Sequence, residues 1–383
     1  MFDICSANMD AVKVQERTTG PLALSGRQEH YYFIEKQFHS ESAWIVFAHN
    51  FSNEPYVLKI LRDYRDTRYD LSTPDKRRQC QLEALQKNRM FTPDSYKGLA
   101  LVCDWKDGQY ILTGDILENP THEILESGLN AEYALIMKRL PDEQRLDNLL
   151  NQYGMTLYDD LCMLTSYLAE VHERLELPDD IPENPYWGSP RQLEDKLWHN
   201  LELLHLILAS DQYSYLQESI LRLHSGLLEV FSQCRSAAFF EQRLREKAIR
   251  NCHGDIKALN LWILPPDEGN FPCDRVKLLD AIDFNPTYCN IDTLSDFAML
   301  AVDIETRTNP WLADSLVDYY LELTNQDNEA ARTVLAYYRI EKAIVGAAIS
   351  IVYDNLPELG LRLLNVAQRH LALQLRQPLL QAA

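Results

Sequence analysis

One loop in the sequence constrains this chain more than any other stretch. Residues 252–260 read Cys-His-Gly-Asp-Ile-Lys-Ala-Leu-Asn, and the apolar run Leu-Trp-Ile-Leu follows at residues 261–264. The pattern places Asp255 five residues before Asn260, in a short polar loop that opens onto a strand. A carboxylate and a carboxamide are therefore held close together at the start of a buried element.

A second apolar run, residues 276–279, follows a polar segment and ends at Asp280, with Asp283 just beyond. Two apolar runs separated by a long turn predict an antiparallel hairpin. If residues 261–264 pair with this second run, Asn260 and Asp280 lie opposite each other. Asp283 then lies about 10 Å further along an extended chain.

The chain before this hairpin divides into two parts. Residues 29–141 contain aromatic and β-branched runs at 31–34, 44–48, 56–61, 98–103, 110–112 and 133–138, which predict a mostly β domain. Lys59 lies within one of these strands and shares a face with Val57 and Leu61. Thr73 and Pro74 predict the start of a helix that runs to about Arg89 and carries Glu83.

From residue 142 to 383 the pattern becomes helical. Apolar residues recur at spacings of three and four, for example at 157, 161, 164, 168 and 171 and again from 213 to 230. A further helix is predicted over 291–307, and the chain after 311 is almost continuously helical. Residues 1–28 show no sustained period and are interpreted as an extension or a loosely held first strand. The predicted fold class is therefore α+β, with a β-rich domain followed by a helical one.

Composition excludes several classes of function. The formal net charge is −20, which argues against a binder of nucleic acid or of anionic membranes. The 8 cysteines form no CxxC pair, and no apolar run approaches the length of a membrane span. No signal peptide is visible, so a cytoplasmic setting is expected. Neither a P-loop nor a Rossmann glycine motif occurs.

The order of parts suits phosphoryl transfer from a nucleotide. A nucleoside triphosphate carries about four negative charges that must be neutralised and aimed. A strand lysine such as Lys59 can hold phosphates, and a helix glutamate such as Glu83 can orient it. Asn and Asp oxygens suit Mg²⁺, and a further Asp can accept the proton of an attacking hydroxyl. Lys257, two residues after Asp255, is placed to reach a γ-phosphate.

Three segments carry a resemblance to a known family. They are His253-Gly254-Asp255 with Asn260, residues 278–285 (Leu-Leu-Asp-Ala-Ile-Asp-Phe-Asn), and residues 295–298 (Ser-Asp-Phe-Ala). Together they resemble the aminoglycoside phosphotransferase-like branch of the protein-kinase-like superfamily. More narrowly, the chain is similar to the group in which such a domain is often fused to a P-loop ATPase domain. The similarity spans most of residues 30–305.

The resemblance implies a two-lobed fold that binds ATP and Mg²⁺, and it implies a role for each candidate residue. These roles are a catalytic base at Asp255, magnesium ligands at Asn260 and a later Asp, a phosphate contact at Lys59 paired with Glu83, a loop anchor at Asp296, and a hinge near the adenine at Met137 and Lys138. The metal-binding Asp is left open by the resemblance, because residues 282–284 also match a motif of small-molecule kinases. Strand pairing favours Asp280, with Asp283 taking a second metal or the substrate.

The sequence thus predicts a Mg-ATP-dependent phosphotransferase that acts on a hydroxyl group of a small molecule. The acidic composition favours a cationic substrate. Two departures from the family pattern keep other interpretations open. No Gly-rich phosphate loop precedes Trp44, and residues 255–260 are closer to the D-L-K-x-x-N of protein kinases, so a protein substrate remains an alternative. A second alternative is a nucleotide-binding pseudokinase or regulator, for example in a toxin–antitoxin or defence pair.

Overall fold

The structure is a computed structural model of the chain, and it forms two compact units. It describes residues 33–50, 52–65, 70–106, 109–122, 125, 132–178, 186–266, 269, 271–283 and 285–376. The predicted extension at residues 1–28 lies outside this range. One unit, here called the sheet unit, contains the described residues up to Asp142 together with Lys277–Pro286. The other, the helical unit, contains Glu143–Val276 and the chain from Thr287 onward.

The sheet unit is built on six antiparallel strands. Their bounds are β1 (Phe33–His39), β2 (Ala43–His49), β3 (Pro55–Leu61), β4 (Tyr96–Lys106), β5 (Gln109–Leu117) and β6 (Glu132–Lys138). They are arranged in the order β1-β2-β3-β6-β4-β5, and every neighbouring pair is antiparallel. The β-rich domain predicted from the aromatic and β-branched runs is confirmed.

Alternation along the strands gives the sheet two apolar faces. Leu58 and Ile60 of β3 pack into one core with Ala134 and Ile136 of β6. Leu61 of the same strand packs on the opposite face. The period of two therefore places Lys59 on the face of Leu61, as the sequence predicted.

Helix α1 (Pro74–Arg89) covers one face of this sheet. It begins as predicted, because the Thr73 side chain accepts a hydrogen bond from the Lys76 N–H at 3.3 Å and Pro74 occupies the first turn. Leu82 and Leu85 are each 1% exposed and form the apolar stripe that faces the strands. The helix is thus fixed against the sheet near Lys59.

The helical unit contains most of the remaining elements. Its longer helices are α2 (Leu146–Tyr153), α3 (Tyr158–Arg174), α4 (Pro190–Leu206), α5 (Gln217–Ser236), α6 (Phe239–Arg245), α9 (Thr293–Arg307), α10 (Pro310–Leu323), α11 (Glu329–Val352) and α12 (Pro357–Arg376). Two four-residue helices lie between α6 and α9 in the chain, α7 (Pro272–Arg275) and α8 (Pro286–Cys289). The predicted apolar stripe of α3 is buried along its whole length. None of the helices in the described ranges has the length and apolarity needed to cross a membrane.

A short strand pair forms the predicted hairpin. Strand β8 (Leu261–Ile263) pairs with β9 (Val276–Leu278), which confirms the hairpin, and the border between the units falls inside β9. The sequence assigned residues 142–383 to the helical part, including the whole catalytic hairpin at 252–285. In the structure, Lys277–Pro286 instead groups with the sheet unit.

The helix predicted over 291–307 begins two residues later than expected. Residues Asn290–Asp292 form strand β10, which pairs with β7 (Ile249–Asn251). The Asp292 side chain then caps α9 by accepting a hydrogen bond from the Leu294 N–H at 2.9 Å. Arg243, which is 1% exposed, donates two 2.8 Å hydrogen bonds to the same carboxylate. The start of α9 is therefore fixed by a buried bidentate pair.

The other end of α9 is held by a second buried charge network. Glu305 accepts hydrogen bonds from Arg339 of α11 at 2.7 Å and from Arg369 of α12 at 2.6 and 2.9 Å. His370 Nε2 lies 2.8 Å from the same carboxylate. Burial raises the pKa of Glu305, but these partners outweigh burial and lower it to about 2.

Replacing Glu305 with glutamine is therefore expected to destabilise the helical unit in a pH-dependent way. Because the folded pKa of about 2 lies below the ordinary 4.5, the ionised carboxylate stabilises the fold above pH 4.5. At pH 7 we expect Glu305→Gln to lower the free energy of unfolding by about 2 kcal/mol. The difference from the wild type should shrink as the pH falls from 4.5 toward 2.

Urea unfolding at pH 7 and at the lowest pH where the wild type stays folded measures this difference. Glu322→Gln, at an exposed position on α10, is the matched control and should change stability by less than about 0.5 kcal/mol. A difference that stays constant or grows as the pH falls would contradict the electrostatic role of Glu305.

Candidate active site

The backbone of the polar loop at residues 253–260 is held by two carboxylates of α9. Asp296 accepts hydrogen bonds from the N–H groups of His253 and Gly254, both at 2.9 Å. These are the anchoring contacts that the resemblance implied for Asp296. Because Asp296 lies in the first turn of α9, the helix that fixes it also fixes the loop.

Asp303 is a second anchor, which the sequence did not reveal. Its Oδ2 accepts a hydrogen bond from the Ala258 N–H at 2.7 Å, and its Oδ1 accepts one from Arg307 Nε at 2.7 Å. Asp303 follows Asp296 by seven residues, which is two helical turns, so both carboxylates lie on one face of α9. That spacing was the available signal.

The charge of Asp296 is stabilised inside the unit. His172 of α3 is 3% exposed, its Nε2 lies 3.4 Å from Asp296 Oδ2, and its Nδ1 lies 2.6 Å from the Tyr320 hydroxyl. Burial raises the pKa of Asp296. The His172 side chain, the nearby His253 and the Gly254 N–H together outweigh burial and hold that pKa below its usual value. His172 is thus a packed residue that supports the anchor.

Asp255 and Asn260 contact each other directly within the loop. Asp255 is 1% exposed and Asn260 is fully buried. The Asn260 Nδ2 group donates to the Asp255 carboxylate at 2.9 Å and to the Asp255 carbonyl at 3.0 Å. Lys257 Nζ lies 3.3 Å from Asp255 Oδ2. The three residues that the sequence placed in one catalytic group are therefore brought together.

The arrangement leaves one acceptor available on Asn260. Both amide protons of the side chain point to Asp255, and Asn260 Oδ1 is buried without a hydrogen-bond partner among the residues that the structure describes. A buried acceptor without a donor is costly unless something else occupies it. An amide oxygen beside a carboxylate is the donor set that Mg²⁺ prefers, so these residues fit the metal implied by the fold.

The sheet unit contains the second group of candidate residues. Lys59 Nζ lies 3.7 Å from Asp280 Oδ1, and both side chains are partly buried. Asp283 lies nearby, and burial raises its pKa to about 6. Lys59 opposes that rise, whereas Asp280 and Glu83 add to it. The strand lysine, both candidate metal-binding carboxylates and the helix glutamate therefore interact electrostatically in one place.

The predicted pair between Lys59 and Glu83 stays a prediction. Glu83 lies on the exposed side of α1, where Gln79 donates a hydrogen bond to its carboxylate. Within the described residues, Lys59 forms an ion pair with Asp280. Glu83 nevertheless lies within electrostatic range of Asp283 and Cys80, since it contributes to raising the pKa of each.

Met137 and Lys138, the predicted hinge residues, lie at the end of β6. The Lys138 N–H donates to the Ser95 carbonyl at 2.8 Å, and the Arg139 N–H donates to the Pro55 carbonyl at 3.1 Å. These two backbone donors are engaged within the sheet unit. A role in adenine binding for Met137 and Lys138 remains a prediction, and it would have to use other atoms.

Comparison with known sequences gives distant relatives. No protein-family model matches the chain. Over 283 residues the chain is 22% identical to the uncharacterized proteins Rv2004c of Mycobacterium tuberculosis and Mb2027c of Mycobacterium bovis. The matched region covers 74% of this chain and 49% of each relative. The chain thus spans about half the length of the curated relatives it matches.

Comparison with solved structures identifies the fold. A choline kinase from Cryptosporidium parvum superposes with a TM-score of 0.51 at 12% identity and covers 91% of both chains. An ethanolamine kinase from Plasmodium vivax superposes with a TM-score of 0.47 at 11% identity, covering 88% of this chain and 81% of that one. The ADP-bound aminoglycoside phosphotransferase APH(2'')-Ib gives 0.44 at 16% identity, covering 89% and 93%.

The chain therefore has the protein-kinase-like fold, with a β-rich N-terminal part and a helical C-terminal part, as the sequence predicted. At such low identity the likeness establishes the fold alone. What the site does must be argued from its own residues.

Proposed function

We propose that this chain is a magnesium- and ATP-dependent phosphotransferase that moves the γ-phosphate to a hydroxyl group of a small molecule. One observation carries the proposal. The Asn260 amide donates both protons to Asp255 and keeps a buried oxygen that no described residue satisfies. A buried amide oxygen beside a carboxylate is available to a metal ion, because Mg²⁺ prefers such oxygen ligands.

Asp255 is proposed as the catalytic base. Its carboxylate is held by the Asn260 amide on one side and by the Lys257 ammonium on the other. A carboxylate fixed in this way can orient the acceptor hydroxyl and take its proton as the oxygen attacks phosphorus. Lys257, already beside Asp255, would place its positive charge near the transferred phosphoryl group.

Lys59, Asn260 and Asp280 are proposed to bind the nucleotide and its metal. Lys59 would contact phosphate oxygens, and Asn260 and Asp280 would hold Mg²⁺ through oxygen atoms. The bound metal supplies positive charge that neutralises the β- and γ-phosphates. Asp283 is proposed to contact a second metal or the substrate. Met137 and Lys138 are proposed to lie near the adenine, and Glu83 to orient Lys59.

The acceptor is proposed to be a small cationic alcohol. A net charge of −20 attracts cations and repels polyanions. The choline kinase that shares the fold acts, by its name, on an alcohol with a quaternary ammonium group. Such an acceptor presents one hydroxyl to Asp255 and one positive charge to the acidic surface.

Two measurements made side by side test this proposal against a nucleotide-binding regulator. A thermal-shift titration with Mg-ATP should raise the melting temperature, because a ligand that binds only the folded state stabilises it. A phosphoryl-transfer assay with pooled amino alcohols and aminoglycosides should convert ATP to ADP and a phosphomonoester. Binding with no turnover on any acceptor would favour a regulator, and the absence of any nucleotide-dependent shift would overturn both interpretations.

A further inference from the structure

The backbone at Asp280 adopts a conformation that few residue types tolerate. Its φ is +63°, in the left-handed region, which residues other than glycine adopt at an energetic cost that is smaller for Asp and Asn than for most others. Such strain persists only where surrounding contacts enforce it, and it is found most often at functional sites. The contacts that enforce it here come from three uncharged side chains of the sheet unit.

These three side chains, Asn88, Thr92 and Tyr96, are here called the polar clamp. They are 3%, 1% and 2% exposed respectively. The Asp280 N–H donates to the Tyr96 hydroxyl at 3.0 Å, and the next N–H, of Ala281, donates to Asn88 Oδ1 at 2.9 Å. The clamp therefore holds both backbone donors at the strained position.

Two members of the polar clamp, Asn88 and Tyr96, also bond to each other, and Asn88 bonds to the backbone of its own helix, α1. The Tyr96 hydroxyl donates to Asn88 Oδ1 at 2.9 Å, and Asn88 Nδ2 donates to the Ala84 carbonyl at 2.9 Å. The direction of each hydrogen bond is therefore fixed. The Ala84 carbonyl orients the Asn88 amide, and Asn88 Oδ1 orients the Tyr96 hydroxyl. The Tyr96 oxygen then accepts from the N–H of residue 280, and Asn88 Oδ1 accepts from that of residue 281. Reversing any one bond would leave a buried donor or acceptor unsatisfied.

Thr92 fixes the chain two residues before Asp280. Its hydroxyl donates to the Leu278 carbonyl at 2.8 Å and accepts from the Leu278 N–H at 2.8 Å. This reciprocal pair fixes the backbone of Leu278, the last residue of β9. The Asp280 backbone is therefore held from both sides, while its carboxylate remains 3.7 Å from Lys59 Nζ.

We propose that Asn88, Thr92 and Tyr96 are positioning residues that hold the Asp280 carboxylate in the direction needed to bind a divalent cation. The inference rests on the proposed phosphotransferase function and extends it to residues that touch neither nucleotide nor metal. It also gives α1 a second role, because the helix that carries Glu83 sets the Asp280 backbone through Asn88.

Calorimetric titration with ADP, in the presence and absence of Mg²⁺, tests the clamp without needing turnover. In the wild type, Mg²⁺ should tighten ADP binding. Tyr96→Phe removes one hydroxyl and should reduce this Mg²⁺-dependent gain by about three- to tenfold, the worth of one hydrogen bond to a positioned group. The affinity for ADP without Mg²⁺ should stay unchanged. A general loss of structure would instead lower the affinity for ADP under both conditions.

Thr92→Val is the second variant, and Thr92→Ser is its matched control. Valine removes the hydroxyl at constant shape and should reduce the Mg²⁺-dependent gain, whereas serine keeps the hydroxyl and should preserve it. Tyr64→Phe, which removes a hydroxyl bonded to the exposed Glu41, should also bind as the wild type does.

The outcomes separate the two proposals. A wild type whose ADP affinity does not respond to Mg²⁺ would contradict the proposed function, and the clamp with it. A wild type that responds, with Tyr96→Phe and Thr92→Val responding equally well, would overturn the clamp alone. A loss of affinity that is the same with and without Mg²⁺ would assign these residues a structural role and would likewise overturn it.

Discussion

Replacing Asp255 with alanine is expected to abolish phosphoryl transfer while nucleotide binding persists. A positioned general base contributes about 10²- to 10⁴-fold to a rate, so kcat should fall by at least about 100-fold. Asp255 reaches the site through the loop that Asp296 and Asp303 anchor, and neither anchor depends on the Asp255 side chain. The loop should therefore keep its shape, and the Kd for Mg-ATP should change little.

Initial-rate kinetics and calorimetry on the same preparation measure both quantities. Asp318→Ala, at an exposed position on α10, is the matched control and should retain wild-type rates. An Asp255→Ala variant with full ATP-dependent transfer would contradict the assigned mechanism. A variant that loses nucleotide binding to the same degree as activity would show that Asp255 acts in binding and not as the base.

Replacing Asp280 with alanine is expected to produce the opposite pattern, a loss of Mg-nucleotide binding. Asp280 is the proposed metal ligand and forms an ion pair with Lys59, so its removal would take away the proposed ligand and this partner of the lysine. Mutating a group that hydrogen-bonds to a metal ligand typically lowers metal affinity by about 10- to 100-fold. Loss of a ligand itself should cost at least as much.

Asp283→Ala is the discriminating companion variant. Asp283 is three residues away, and burial raises its pKa to about 6, so it ionises less readily than an ordinary aspartate. We expect Asp283→Ala to weaken Mg-nucleotide binding less than Asp280→Ala does. If Asp283→Ala alone impairs Mg-nucleotide binding, the assignment of Asp280 as the primary metal ligand is wrong.

The loop at residues 253–260 was predictable because its chemistry is local. Asp255, Lys257 and Asn260 lie within six positions of one another, so their spacing alone predicts that they meet. The structure confirms this contact, with Asn260 donating to Asp255 and Lys257 lying beside it. The strands of the sheet unit were likewise predictable, because alternation and β-branched content are also local signals.

The residues that hold the backbone around Asp280 could not be predicted from local sequence. Thr92 and Leu278 are 186 positions apart, and Asn88 and Ala281 are 193 apart. Nothing in the local pattern near Asn88 distinguishes a clamp from an ordinary helix end, since the partner backbone arrives only when the chain folds. The role of Asp303 was partly predictable. Its seven-residue spacing from Asp296 is a local signal, and that signal becomes meaningful once Asp296 is known to anchor the loop.

Two boundaries also differed because tertiary contacts override local preference. The segment Asn290–Asp292 has a helical apolar pattern after it but pairs with Ile249–Asn251 as a strand. Lys277–Pro286 contains most of the second strand of the predicted hairpin, yet it groups with the sheet unit, where Thr92, Asn88 and Tyr96 bond to its backbone. In both cases long-range hydrogen bonds decide the outcome.

The most direct test of the central claim is phosphorus NMR of ATP and Mg²⁺ incubated with the wild type and with Asp255→Ala, each with a pool of small cationic alcohols. The wild type is predicted to convert the γ-phosphate signal into that of a phosphomonoester, together with stoichiometric ADP, and Asp255→Ala is predicted to leave the ATP signals unchanged. Formation of the same phosphomonoester at the same rate by Asp255→Ala would contradict the account.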